Sequence, residues 1–453
     1  TAGPVTSPDR YLFAPQPTVR SSAPNPYSIA NLARTGTIEY VFDRPAPEPT
    51  PQNFAVNGSQ GGRRFLDGGY SGGGTTRLST PPGNYHAGEM VDVTLTSALT
   101  CEPRVARFRA AAGQGTGQFA GDLVPGSASN LALADLNRDG KLDLLAVDST
   151  GYRMTVRLGF GNGTFGEASG PYGTPQRGVL GTGDFDGDGH LDVAAAGTYG
   201  TDGTNLYIYR GQGDGGLTGP QRLRRSSLIS AVSVADFNAD GLPDLALPGR
   251  DYNAVVITDA PSFQSNRIYG TGRRPVESAI SDMDADGRLD VVTADSVANS
   301  VTVLRGMGGG VFRRPFTRTL TLARPVHRLA VGDVTRDGHP DAVVGGGGRT
   351  TLLVGNGRGG FGATVELHTV AGGTLVAALL GDVNGDGRLD LVVVNRTGGG
   401  YVMLNNGSGL SYHSSFSLGT TPLTAALGDV NGDARLDLVV GSRASVTILL
   451  GQP

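Results

Sequence analysis

Seven times the chain writes an aspartate-rich nonapeptide of the form D-x-[DNT]-x-D-[GA]-x-x-D. Side-chain oxygens stand at positions 1, 3, 5 and 9, a spacing that can enclose a hard divalent cation. The copies carry Asp135, Asn137, Asp139 and Asp143; Asp184, Asp186, Asp188 and Asp192; Asp236, Asn238, Asp240 and Asp244; Asp282, Asp284, Asp286 and Asp290; Asp333, Thr335, Asp337 and Asp341; Asp382, Asn384, Asp386 and Asp390; and Asp429, Asn431, Asp433 and Asp437. A backbone carbonyl at position 7 can add a ligand. That role tolerates any side chain, as the variety of Lys141, His190, Leu242, Arg288, His339, Arg388 and Arg435 suggests. Position 6 is Gly in six copies, where a sharp turn favours a residue without Cβ, and Ala434 in the seventh.

Calcium suits this donor set. It takes about 6–8 oxygens in flexible geometry, whereas magnesium keeps more water and a stricter octahedron. The spacing matches the front half of an EF-hand loop, but no helical pattern flanks it. The second and fourth copies, with four carboxylates, are expected to bind best. The fifth, with Thr335, and the seventh, with Ala434, are expected to be weakest or empty. A structural role is expected for the ion: five neighbouring oxygens repel, and a cation would pin the two strands that meet there. No acid, base or nucleophile recurs beside the loops, as a catalytic metal would need.

The copies begin 46 to 52 residues apart, so an array of small supersecondary units is expected. A short apolar run precedes most loops (Leu131–Ala134, Ala425–Gly428) and another follows each (Leu144–Val147, Leu438–Val440). Bounded by turn residues and too short for helices, these runs read as buried strands. A third, alternating strand follows (Met154–Leu158, Val446–Leu449), and then a Gly-rich turn and a more polar fourth. Four short strands per ~50 residues is a propeller blade. The seventh copy ends after its third strand. The pattern of a turn plus a fourth strand stands upstream at Thr116–Val124, so residues 105–126 are expected to close the last blade and latch the ring.

Residues from about 105 to 453 resemble the FG-GAP/VCBS repeat family. The D-x-[DN]-x-D-G-x-x-D-[LV] stretch and the N-G-x-G-x-F-G turn carry the resemblance. Blades of that family build propellers in integrin α-subunits, certain fungal lectins and many secreted bacterial proteins. The resemblance implies calcium at positions 1, 3, 5 and 9, an extracellular location, and binding rather than chemistry. The expected fold is all-β: a seven-bladed β-propeller over 105–453 with calcium-binding loops, after an N-terminal segment (1–104) holding an Ig-like β-sandwich. Strand-like runs at Thr37–Phe42, Asn53–Val56 and Met90–Leu95, separated by Pro/Gly turns, support the sandwich. This segment resembles the bacterial Ig-like domains that precede such propellers. Gly68–Gly74 is expected to be a loop tip.

The 453 residues include 73 Gly and 26 Pro, with 38% hydrophobic, which suits many tight turns. A net charge of -4 is too mild for a nucleic-acid or anionic-membrane partner, and more than half of the 41 acidic residues stand in the loops. Cys101 is the only cysteine, so no intrachain disulfide forms. No run approaches the ~20 apolar residues of a membrane span. The absence of Met and of a signal pattern at Thr1 suits a processed chain or a piece of a longer one. Gly69–Gly73 fits a nucleophile-elbow pattern but lies in a glycine run with no helix after it. Two G-x-G-x-x-G matches, at Gly161 and Gly355, are hairpin turns rather than helix openings.

The expectation is a secreted or cell-surface, non-enzymatic adhesion or interaction protein that binds a protein partner or joins a surface assembly. The alternative is a lectin with sites between blades, for which Tyr207, Tyr209, Tyr252, Tyr269, Tyr401 and Tyr412 are the available aromatics. A polysaccharide-active enzyme ranks last.

Overall fold

A computed structural model describes residues 19–23, 38–42, 54–63, 77–79, 85–96, 99–100 and 103–453, apart from 149, 151, 177, 199–204, 226, 314–315, 320–324 and 370–372. Cys101 and the 68–74 segment lie outside the described residues.

The chain is all-β. Each Asp-rich loop links the first two strands of a four-stranded antiparallel sheet, and in all but the last the four strands follow in sequence order. The first sheet runs Asn130–Ala134, Asp143–Val147, Arg153–Gly159 and Phe165–Gly173. Among the described residues there are seven such sheets. The second strand of each is buried along its whole length, as in Asp192–Ala196 and Asp390–Asn395, because neighbouring sheets cover both of its faces. That is why these strands read as unbroken apolar runs rather than alternating ones. Each fully buried Val or Leu here contributes about 1.5–3 kcal/mol from removal of apolar surface from water.

The first strand of each sheet touches the first strand of the next, and Pro422–Gly428 of the seventh touches Asn130–Ala134 of the first. This is the arrangement of a β-propeller. A small residue before the loop makes the close approach possible. A Cβ on Gly381 would lie 2.7 Å from Leu436, the position-8 leucine of the next loop. A Cβ on Gly428 would lie 2.8 Å from Leu142, the same leucine of the first loop. The seventh sheet takes its outer strand from upstream: Phe119–Pro125 pairs with Ser445–Gly451.

The rest of the segment expected to close the last blade does something else. Arg104–Arg109 pairs with Met90–Leu95, so the expected 104/105 boundary cuts a strand of the N-terminal unit. Its sheet is Gly62–Arg63, Phe54–Gly58, Met90–Leu95 and Arg104–Arg109. A three-stranded sheet of Val19–Ala23, Glu39–Phe42 and Arg77–Ser79 accompanies it. Ile38, Tyr40 and Phe42 share one core with Phe54, Val56, Val93 and Phe108.

The N-terminal sheet sits on the face that carries the Asp-rich loops. In an up-and-down sheet, alternate connections emerge on alternate faces. The loops after the first strand and the turns after the third therefore share one side. There the Asp135 N–H donates to the Gln60 carbonyl at 2.7 Å. The Asn57 Nδ2 donates to the Gly241 carbonyl at 3.3 Å, and the Gly113 N–H to the Ala434 carbonyl at 2.6 Å. Arg109 Nη1 donates to the Leu380 carbonyl at 3.1 Å. The hairpins between second and third strands lie on the opposite face.

Candidate metal centres

The seven loops share one internal hydrogen-bond scheme. At position 1 both carboxylate oxygens accept from the loop backbone: Asp282 takes the N–H of Asp286 at 3.1 Å and of Gly287 at 2.8 Å, and Asp382 takes those of Asp386 at 3.0 Å and Gly387 at 2.8 Å. At position 5 one oxygen accepts the N–H of position 7, as Asp188 does from His190 at 2.8 Å. Position 4 is in the left-handed region in every copy, including Arg138, Ala239, Ala285 and Arg336. Position 6 is left-handed too, and Ala434 has a φ of 73°. An L-residue there costs about 1 kcal/mol that glycine does not. Ala434→Gly is therefore expected to raise stability by about 1 kcal/mol, read from the urea midpoint. A fall in the midpoint would mean that the methyl group's packing outweighs the strain.

Position 9 does more than the ligand pattern implies. Its carboxylate is buried in all seven copies and clamps the loop to the end of the third strand. Asp143 accepts the N–H of Leu136 at 2.8 Å and of Gly159 at 2.8 Å. Asp290 accepts those of Met283 at 2.8 Å and Gly306 at 2.7 Å. Asp390 accepts those of Val383 at 3.0 Å and Asn405 at 2.8 Å, and Asp437 those of Val430 at 2.9 Å and Gly451 at 2.8 Å. Asp192, Asp244 and Asp341 repeat the clamp. One signal in the sequence marks it. Position 3 varies among Asp, Asn and Thr, whereas position 9, like positions 1 and 5, is always Asp, the acceptor-only side chain that two N–H donors demand.

Position 7 corrects the reading that its side chain is immaterial. The guanidinium groups of Arg288, Arg388 and Arg435 donate to the second oxygen of Asp286, Asp386 and Asp433 at 3.0, 2.7 and 2.6 Å. Lys141 Nζ stands 3.5 Å from Asp139. His190 and His339 lie against the glycines of the following turn, where a Cβ on Gly213 or Gly357 would fall 2.4 Å from the ring. Leu242 packs toward Gly187 of the preceding loop.

Position 3 decides how each loop balances its charge. In the third, sixth and seventh loops, Nδ2 of Asn238, Asn384 and Asn431 donates to the position-5 carboxylates Asp240, Asp386 and Asp433 at 2.9, 3.2 and 3.0 Å. In the fifth, the Thr335 hydroxyl donates to Asp341 at 3.1 Å. In the second and fourth, position 3 is Asp, and an arginine from the end of the third strand faces it. Arg210 lies 3.4 Å from Asp186 and 2.6 Å from Asp192, and Arg305 lies 3.3 Å from Asp284. The equivalent residue elsewhere is Leu158, Asp259, Val354, Leu404 or Leu450. Arg210 and Arg305 escape a reading confined to the nonapeptides. Their signal is that Arg-Gly closes the third strand only where position 3 is Asp.

Among the described residues, two groups bring three carboxylates to metal-holding distance: Asp184, Asp186 and Asp188, and Asp282, Asp284 and Asp290, with oxygens within 4.8 Å of one another. Both belong to the four-aspartate loops. Burial, opposed by the N–H groups of Gly306 and Met283, pushes the Asp290 carboxyl up to about 8. Burial, with Asp240 alongside, pushes Asp236 up to about 7 against the hydroxyl of Thr94, which donates at 2.7 Å from the N-terminal sheet. Asp390 and Asp437 are likewise pushed up to about 7 by burial. An all-oxygen, mostly carboxylate donor set, whose charged form is costly to bury without a cation, fits a hard cation and is compatible with calcium.

The fold is shared with solved structures of low sequence identity. A chain in the crystal structure of BBS1N in complex with ARL6DN matches at 13% identity with a TM-score of 0.52, over 76% of this chain and 96% of that one. A second crystal of the same complex gives 15% and 0.50. An Agrocybe aegerita lectin that recognises non-reducing terminal N-acetylglucosamine aligns at 16% identity and a TM-score of 0.48, over 89% of this chain and 97% of that one. Among proteins of curated function, none matches this chain. Matches to the FG-GAP-like repeat cover residues 135–195, 184–247, 282–344, 333–393 and 382–440, together more than half of the sequence. Each match runs from one Asp-rich loop into the second strand of the next sheet, and the chain belongs to the FG-GAP-like repeat family.

Proposed function

We propose that this chain is a non-enzymatic interaction protein of the extracellular space or cell surface. In this reading its propeller is a closed seven-bladed wheel, its loops hold up to seven calcium ions, and its N-terminal unit is an Ig-like module. Calcium bound at a loop would supply fixed positive charge. The chain's own residues do the rest: position 1 shapes the loop, position 9 clamps it to the third strand, and positions 3 and 5 offer the outward oxygens.

The observation that carries the reading is the placement of the N-terminal sheet. It covers the loop-bearing face and leaves the opposite face to a partner. Large apolar side chains stand exposed on the hairpins there: Tyr252 at 59% and Val297 at 50%. An exposed aromatic on a hairpin is the kind of anchor protein interfaces use. The test is affinity purification from chemically cross-linked native cell surface, with the intact protein and with a Tyr252→Glu, Val297→Glu variant. A specific protein, or further copies of this chain, recovered with the first and lost with the second is the expected result. Equal recovery would overturn the reading.

A lectin is the second reading, and one groove favours it. Between the fifth and sixth sheets, His368, Tyr401 and Tyr412 form an aromatic cluster. The His368 ring is 4.6 Å from Tyr401 and stacked 5.4 Å from Tyr412. A cavity of about 380 Å3 beside them is lined by Asn395, Thr397 and Ser415 as well. Tyr207, Tyr209 and Tyr401 are all buried, so in this groove the exposed ring of Tyr412 is the one open to a sugar. Glycan-array binding that is lost in Tyr412→Ala would move the assignment to this groove.

A further inference from the structure

We propose that the axial cavity on the face away from the Asp-rich loops binds a small monocarboxylate with an apolar body. The cavity measures about 400 Å3, at the lower end of the range for small-molecule sites (about 300–1,000 Å3). It has room for roughly a dozen waters at about 30 Å3 each, too little for a folded segment of a partner. Its lining comes from the second to seventh sheets, so it is a property of the assembled wheel and of no single repeat.

Two kinds of side chain meet there. Val179, Val276 and Leu423, from the first strands of three sheets, make an apolar wall. Arg250, Arg328 and Arg396, from the third, fifth and sixth sheets, line it as well. No Asp or Glu lines the cavity among the described residues. Arg328 is held by its own surroundings: Nη1 donates to the His327 carbonyl at 2.9 Å and Nε to the Val376 carbonyl. Glu277 lies beside Arg328 and accepts the Leu329 N–H at 2.6 Å, so it offsets the charge of Arg328. His327, on the cavity lining, has its pKa lowered by burial and then by the neighbouring Arg328, Arg274 and Arg250.

Arginines beside an apolar wall, one of them held in place, match a ligand that is anionic at one end and apolar at the other. A carboxylate accepts two parallel N–H bonds from one guanidinium, which gives orientation as well as attraction. A phosphate ester or a polyhydroxylated acid would set its oxygens against valine and leucine and lose hydrogen bonds made in water. Nothing in this argument depends on the protein partner or on metal in the loops.

Titration calorimetry of the full chain with hexanoate and with hexanamide tests the proposal. Hexanoate is expected to bind saturably and hexanamide at least tenfold more weakly. Arg396→Ala, on an exposed hairpin, is expected to weaken hexanoate at least tenfold with an unchanged urea midpoint, and Arg250→Gln provides a second variant. Affinity is expected to be the same with calcium or with chelator. Absence of saturable binding, equal binding of the amide, or unchanged affinity in both variants would overturn the proposal. So would an affinity that requires calcium, because it would place the carboxylate on the Asp-rich loops.

Discussion

Replacing Asp290 with Ala is expected to lower stability by about 3 kcal/mol without calcium, and by more with it, because Asp290 also belongs to one of the clustered carboxylate groups. Asp290 is fully buried and takes the N–H of Met283 at 2.8 Å and of Gly306 at 2.7 Å. Truncation leaves both donors unpaired, at about 1–3 kcal/mol each. Relief of a buried carboxyl returns part of that, since burial pushes its pKa up to about 8. Asp290→Asn is expected to do little better, because an amide presents one acceptor and one donor to two N–H groups. The control is Asp286→Ala in the same loop. Asp286 is exposed and accepts from Arg288, so its loss is expected to cost under about 1 kcal/mol without calcium. Urea midpoints for the three variants, measured in calcium and in chelator, decide the matter. Equal shifts for Asp290→Ala and Asp286→Ala, or a shift that vanishes in chelator, would show that position 9 is only a ligand.

Calcium removal is expected to produce the second large effect, a loss of roughly 5 kcal/mol relative to a saturated protein. An ion that binds only the folded state adds about 2.7 kcal/mol at a concentration 100 times its Kd. The two loops with clustered carboxylates would together supply about twice that. The melting temperature is expected to fall by several degrees in chelator and to recover on adding calcium but not the same concentration of magnesium. Arg210 and Arg305 sharpen the test. As internal counter-ions to Asp186 and Asp284, they stabilise these loops in the absence of metal. Arg210→Gln is therefore expected to increase the dependence on calcium, by lowering the metal-free stability more than the loaded one. A melting temperature indifferent to chelator, in the native protein and in Arg210→Gln, would remove calcium from the account.

Much of the propeller was written along one dimension. The recurrence of D-x-[DNT]-x-D-[GA]-x-x-D, with apolar runs before and after, states the strand order of each sheet, because a short buried strand, its loop and its partner are neighbours in sequence. Even the borrowed outer strand was visible, since Thr116–Val124 repeats a turn-and-strand pattern found in the other copies, and Phe119–Pro125 pairs with Ser445–Gly451. The meeting of Asp184, Asp186 and Asp188 in one loop was equally legible, because contacts of this kind are local.

Three things were decided only by tertiary structure. The strand Arg104–Arg109 went to Met90–Leu95 rather than toward the last blade, because both choices offer the same short alternating segment an open edge and only packing selects between them. The N-terminal sheet settled on the loop face, with Thr94 reaching Asp236 across 142 positions of sequence. The axial cavity gathered Arg250, Arg328 and Arg396, which no spacing connects. A periodic sequence fixes what each unit is, since its contacts lie within a few dozen residues. Which distant side chains meet at the axis and at the faces depends on how the units close around one another, and that is a property of the packed ring alone.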